Sequence, residues 1–202
     1  MITVDIATED ELSESVALKL IDQVPGLEPG LLLRRGGSGY LRSRLRQFSE
    51  MARRQPVLLL TDLDSVPCPI ALIGTWLGGT SPASGLLLRV AVRTIESWLL
   101  ADKEAIITLL GQRAAAGLPR DPDGVADPKT LLLRLATRAP RDVRLDICPA
   151  PGVPVRQGLG YNARLSNFVH NTWNPERAAS RSGSLRRAIN RIRELTAPDP
   201  AA

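Results

Sequence analysis

One histidine, His170, and two cysteines, Cys68 and Cys148, are the whole supply of imidazole and thiol in 202 residues. A lone histidine weakens any mechanism built on a histidine base or on several imidazole ligands, and carboxylate chemistry is what remains. The cysteines lie far apart and neither has a C-x-x-C partner, which argues against a structural zinc and for a reducing cytoplasm. Of the two tyrosines, Tyr40 and Tyr161, neither stands in a context that marks a topoisomerase nucleophile. No apolar run approaches ~20 residues, so no membrane span is expected, and the acidic stretch from Glu9 to Glu14 does not read as a signal peptide. Lysine occurs only at positions 19, 103 and 129, so the positive charge is nearly all arginine. Arginine suits bidentate phosphate binding, although a GC-rich genome would also raise its frequency. That charge is unevenly placed: residues 1 to 140 hold 16 basic and 16 acidic side chains, residues 141 to 202 hold 10 and 5, and the net +5 belongs to the last third.

What is present centres on Val57-Leu58-Leu59-Leu60-Thr61-Asp62-Leu63-Asp64. Four aliphatic residues followed by two acids predict a strand buried on both faces that delivers carboxylates at its C-terminal end, where open α/β sheets keep their sites. Two carboxylates so close raise each other's pKa unless a cation lies between them. A magnesium-type ion suits such a pair, because it is held by one or two carboxylates and a substrate phosphate. The alternative is that Asp62 caps a turn and Asp64 points to solvent.

Ile2 to Ala7 reads as a first strand running into a helix, with Thr8 and Glu11 at capping-box spacing and an apolar stripe at Leu12, Val16, Leu20 and Val24. Leu31 to Leu33 is a short second strand, and Arg34-Arg35-Gly36-Gly37-Ser38-Gly39 leads into a helix from Tyr40 to Arg53. Those glycines fit either a phosphate-approaching loop or a left-handed turn. Ile70 to Leu77 reads as a helical turn, and Leu86 to Val92 as a fourth strand. Glu96 and Trp98 fall at the start of the helix that follows, Trp98 as a core residue. Asp127-Pro128 has N-cap and N1 chemistry for a helix to Arg138. Residues 139 to 158, rich in proline and glycine, predict at most a short strand. Helices are expected over Tyr161 to Thr172 and Leu185 to Leu195. The result is an α/β protein with a mainly parallel sheet between helices: a core over 1 to 140, a basic helical extension over 141 to 196 packed on it, and a frayed tail over 197 to 202.

The order of these motifs resembles the family of small TOPRIM-like proteins related to the nuclease half of the overcoming-lysogenization-defect proteins. The resemblance rests on the Val-acid-x-x-Thr-Glu opening, the strand ending Thr61-Asp62-Leu63-Asp64, and Arg93-x-Ile95-Glu96-x-Trp98-Leu99-Leu100-Ala101-Asp102. Asp127-Pro128-Lys129 and Ser182-Gly183-Ser184-Leu185-Arg186-Arg187 add to it. It implies a topoisomerase-primase fold and a Mg²⁺ (or Mn²⁺) site for phosphodiester chemistry. Asp5, Glu9, Asp62, Asp64 and Glu96 are the implied catalytic acids, with Glu9, Asp62 and Asp64 on the metal. Asp5 stands where the family has glutamate, and Ile6 replaces its usual glycine.

The expected function is therefore a divalent-metal-dependent nuclease acting on DNA or RNA in mobile-element or phage defence. Arg181, Arg186, Arg187 and Arg191 would hold the nucleic-acid backbone. The alternative is a non-catalytic subunit that docks with an ABC- or SMC-type ATPase or binds nucleic acid. A phosphoacceptor receiver domain fits less well, because neither Lys103 nor Lys129 follows a strand. His170 reads as an ordinary surface or packing residue.

Overall fold

The stretch Val57–Asp62, aliphatic as far as Leu60, forms an inner strand of a four-stranded, all-parallel sheet, in a computed structural model that describes residues 1 to 197. In chain order the first half comprises β1 (Ile2–Thr8), α1 (Glu11–Asp22), β2 (Leu27–Leu32), α2 (Gly37–Met51), β3 (Val57–Asp62), α3 (Pro69–Leu77) and β4 (Leu86–Ala91). Then follow α4 (Ile95–Ala101), α5 (Lys103–Leu110), a 3-10 turn (Gln112–Gly117), α6 (Pro128–Ala136), α7 (Arg141–Ile147), α8 (Tyr161–Asn171), α9 (Pro175–Ala179) and α10 (Gly183–Arg193). The α/β class expected from the alternation of patterns is what forms, in an arrangement consistent with a TOPRIM-like fold. The tail expected at 197 to 202 falls, from residue 198 on, outside the described residues.

The strand order is β2-β1-β3-β4. The chain thus leaves β1 toward one edge, and after α2 it returns to pair on the other side of β1. The boundary between β1 and β3 is a topological switch point, and its C-terminal end is the crevice where such sheets place ligands.

Both faces of the sheet are covered, which is why β3 is aliphatic from Val57 to Leu60 rather than alternating. Leu58 and Leu60 pack with Val4, Ile6 and α1, while Val57 and Leu59 pack with Leu41, Leu45 and Phe48 of α2. Leu58, Leu59 and Leu60 are at most 1% exposed, and each such leucine contributes about 1.5–3 kcal/mol of apolar burial.

The last third completes the first of these faces. Tyr161, Leu165, Phe168, Leu185, Ile189 and Ile192 belong to the same cluster as Val4 and Leu58. Trp98 is fully buried, as expected, and donates through Nε1 to Ser184 Oγ at 2.7 Å, while Trp173 Nε1 donates to the Trp98 carbonyl at 3.1 Å. Residues on both sides of position 140 therefore share one core.

Local chemistry explains where the elements depart from expectation. The N-cap of α1 is Asp10, whose carboxylate accepts from the Ser13 N–H at 2.8 Å; Thr8 is still in β1. Helix α2 starts at Gly37 instead of Tyr40, because Gly36 (φ +37°) and Gly37 (φ +78°) make the left-handed turn that only glycine enters freely. Between 139 and 158 the proline does not exclude helix: Pro140 sits at the N-cap of α7, and Val143 and Ile147 bury its apolar side. Pro175 likewise opens α9, capped by Asn174. Among the described residues no helix is long and apolar enough to cross a membrane.

Candidate functional site

Glu9, just past the end of β1, and Asp62, the last residue of β3, meet at the switch point. The Thr61 hydroxyl and the Asp62 backbone N–H, the latter at 3.0 Å, both donate to Glu9 Oε1. Parallel pairing makes this contact, since Thr8 lies opposite Leu60 and the two strands run out together. The register also carries β4 to the same level, with Asp62 opposite Ala91. Asp64 follows in a left-handed turn (φ +50°), a conformation short polar side chains tolerate, with its N–H on the Arg93 carbonyl at 2.9 Å.

Asp62 is the electrostatic centre. Its carboxylate accepts no hydrogen bond among the described residues, and its pKa is raised well above the usual carboxylate range. Burial is the largest cause, followed by the negative charges of Glu96, Glu9, Asp10 and Asp64. Asp62 is half-buried and lies within the field of four other acids from three different parts of the chain. Glu9 is also raised: burial dominates, the Thr61 and Asp62 hydrogen bonds pull the other way, and Asp64 and Asp10 add repulsion.

Glu96 stands behind this group, 3% exposed at the start of α4. Thr94 Oγ1 donates to its Oε2 at 2.6 Å, Tyr161 OH to its Oε1 at 2.7 Å, and Lys129 Nζ lies 3.9 Å from Oε1. Lys129 also sits 4.9 Å from the centre of the Tyr161 ring. The Asp127-Pro128-Lys129 motif has a structural explanation here: Asp127 caps α6, and the helix presents Lys129 to Glu96. Both Glu96 oxygens are engaged, so it supports the cluster from inside.

Asp5 does not join the site. It lies opposite Val57, five positions before Asp62 on the neighbouring strand, and so roughly 16 Å back along the sheet. Its carboxylate is buried and accepts from the Leu31 N–H at 2.8 Å and from Gln55 Nε2 at 2.6 Å. The β1–β2 register slips between Val4 and Ile6, and Asp5 supplies the acceptor there. Gly30 is required beside it, because a Cβ at that position would collide with Asp5 Oδ1.

The arginines expected to face nucleic acid divide. Arg181 is committed to backbone, donating to the Ala101 carbonyl at 3.1 Å and to the Pro119 carbonyl. Arg191 pairs with Glu194 and donates to the Ser84 carbonyl at 3.1 Å. Arg186 and Arg187 are exposed on α10 and make no ion pair among the described residues. The serines of the Ser182-Gly183-Ser184 motif serve packing and capping: Ser182 caps α10, and Asp123 accepts from Ser182 Oγ and the Ser184 N–H.

Three residues of the site carry no signal in the sequence. Thr61 and Asp10 sit within the motifs but carry no mark of their own. Tyr161 is 65 residues from Glu96, and only the fold joins them.

The donor set suits a hard divalent cation, being carboxylate oxygen without nitrogen or sulfur competitors. Among the described residues no three His, Cys, Asp or Glu side chains close around one point. A hydrated ion held by one or two carboxylates is the mode this geometry fits, rather than an all-protein cage. His170 is exposed, and its backbone carbonyl accepts from Lys19 Nζ. No known protein family, curated protein or solved structure matches the chain.

Proposed function

We propose that the acidic end of the sheet holds Mg²⁺ or Mn²⁺ and hydrolyses phosphodiester bonds of nucleic acid, as the TOPRIM resemblance implies. The observation that carries this reading is the meeting of Glu9 and Asp62 at the switch point, where the Asp62 N–H donates to Glu9 Oε1 at 3.0 Å while the Asp62 carboxylate has no donor among the described residues. Asp62 and one neighbouring carboxylate, Asp64 or the remaining oxygen of Glu9, would hold the hydrated cation. When bound, it would supply charge for the phosphate and an acidified water. Glu96 fixes the shape of the group through Tyr161 and Lys129, and Thr61 orients Glu9. Arg186 and Arg187 are the exposed cations available to a nucleic-acid backbone. A cytoplasmic setting and a role in mobile-element or phage defence belong to the same proposal, and the two free cysteines agree with the former.

The test is cleavage of single- and double-stranded DNA and RNA with Mg²⁺, Mn²⁺ or EDTA. Metal-dependent cleavage lost in Asp62→Ala/Asp64→Ala supports the proposal; cleavage unchanged in that variant ends it.

A second reading, a non-catalytic subunit that docks with an ABC- or SMC-type ATPase, is favoured by one observation. The acid at position 5 and both oxygens of Glu96 are consumed by internal hydrogen bonds. Cation binding without cleavage on any of the four substrates would select it.

A further inference from the structure

Arg89 lies in β4, an edge strand of the sheet. Its Nε is buried and makes no hydrogen bond, and no carboxylate lies within ion-pair distance of Arg89 among the described residues. Its surroundings make this costly. Among the described residues Arg191 and Arg187 repel it and Glu194 attracts it, and Glu194 is already paired with Arg191. A half-buried guanidinium facing two others is stable only if an anion joins them or water reaches the rest of the group.

The shape of the surroundings favours an anion. Arg89 and Arg187 line a cavity of about 210 Å³ between α10 and α3, closed on the apolar side by Ile73, Leu88 and Val90. Pro69 and Ile70, the first residues of α3, line the same cavity. Cys68 provides no side-chain cap for this nine-residue helix, and the N–H groups of Ile70 and Ala71 have no acceptor among the described residues. Guanidinium forks and uncapped helix N–H groups share a preferred ligand, a tetrahedral oxyanion.

We propose that Arg89, with Arg187 and the amino end of α3, forms a phosphate-binding site. Arg89 lies opposite Leu60, one strand across and two positions back from Asp62 on the same face of the sheet. Their Cα positions are therefore about 8 Å apart. A nucleic-acid strand whose phosphate occupies this site would run beside the acids, and a small phosphoester would use the same groups. The phosphate site itself does not depend on the acids holding a cation; only the nucleic-acid source of the phosphate rests on the reading above.

The test is done in EDTA, so that it fails or succeeds independently of cation binding. Thermal unfolding is followed with inorganic phosphate against chloride at equal ionic strength, for the full chain and for Arg89→Gln and Arg187→Gln. The melting temperature of the unmodified chain rises with phosphate and that of Arg89→Gln does not. Should Arg89→Gln fail to fold, the exposed Arg187→Gln carries the comparison. Anisotropy with a labelled single-stranded oligonucleotide identifies the source of the phosphate. About a tenfold loss of affinity in the variants, with a salt dependence shallower by about one phosphate, assigns the site to the nucleic-acid backbone. Unchanged oligonucleotide binding beside a phosphate-dependent shift assigns it to a small phosphoester. A shift equal in all three proteins, or none in any, overturns the site.

Discussion

The backbone N–H of Asp62 donates to Glu9 Oε1 at 3.0 Å, which ties the acid that leaves β1 to the acid that ends β3. The contact brings two carboxylates together without giving Asp62 a donor of its own. Each is shifted upward, Asp62 first by burial and then by its acidic neighbours, Glu9 first by burial.

The sign of the resulting pH dependence is fixed. With folded-state pKa values above the ordinary 3.8 of Asp62 and 4.5 of Glu9, the folded chain binds more protons than the unfolded one between the ordinary and the raised values. Stability contributed by these two groups therefore falls as pH rises through that window and stays low above it. In EDTA, the slope of melting temperature against pH should be flatter in Asp62→Asn than in the unmodified chain, and the variant should melt higher at neutral pH. Parallel slopes would contradict the assignment.

Asp5 should prove structural. Replacing it with alanine leaves the Leu31 N–H and the Gln55 amide without their acceptor, a buried carboxylate, at a cost of about 1–3 kcal/mol. Calorimetry on folded Asp5→Ala should give Mn²⁺ affinity equal to that of the unmodified chain. A selective loss of affinity would return Asp5 to the site.

Tyr161→Phe should destabilise the chain by about 1–3 kcal/mol, because it removes a donor from a buried carboxylate. Denaturant unfolding measures it. An additional weakening of Mn²⁺ binding would follow from Glu96 losing its fixed position behind Asp62.

Asp102 should be among the more sensitive positions far from the acids. It is 1% exposed and receives the Ala105 and Asn174 N–H groups and two nitrogens of Arg177. Asp102→Ala should cost about 1.5–3 kcal/mol, since these are charge-assisted bonds, read as a fall in melting temperature of about 2–4 °C per kcal/mol.

These cases show what could be read in the chain and why. Val57 to Leu60 and Leu86 to Leu88 are legible as strands because a parallel strand covered on both faces must be aliphatic. Asp62 is legible because it ends such a strand, and Glu9 through the threonine-glutamate step of the TOPRIM-like opening. Asp5 is assigned to the site by the resemblance alone, and the motif does not show that β1 runs on to Thr8 and leaves Asp5 in mid-strand. Tyr161 and Arg89 were not legible. Tyr161 acts through a contact 65 residues away, and Arg89 reads as an interruption of an aliphatic strand until α10 brings Arg187 and Arg191 to it.

The central claim is that the carboxylates around Asp62 hold a divalent cation. Calorimetric titration with Mn²⁺ measures this directly, on the unmodified chain and on Glu9→Gln/Asp62→Asn. Saturable binding at or below millimolar ion that disappears in the double variant is the predicted result; no binding by the unmodified chain, or equal binding by both, would contradict it.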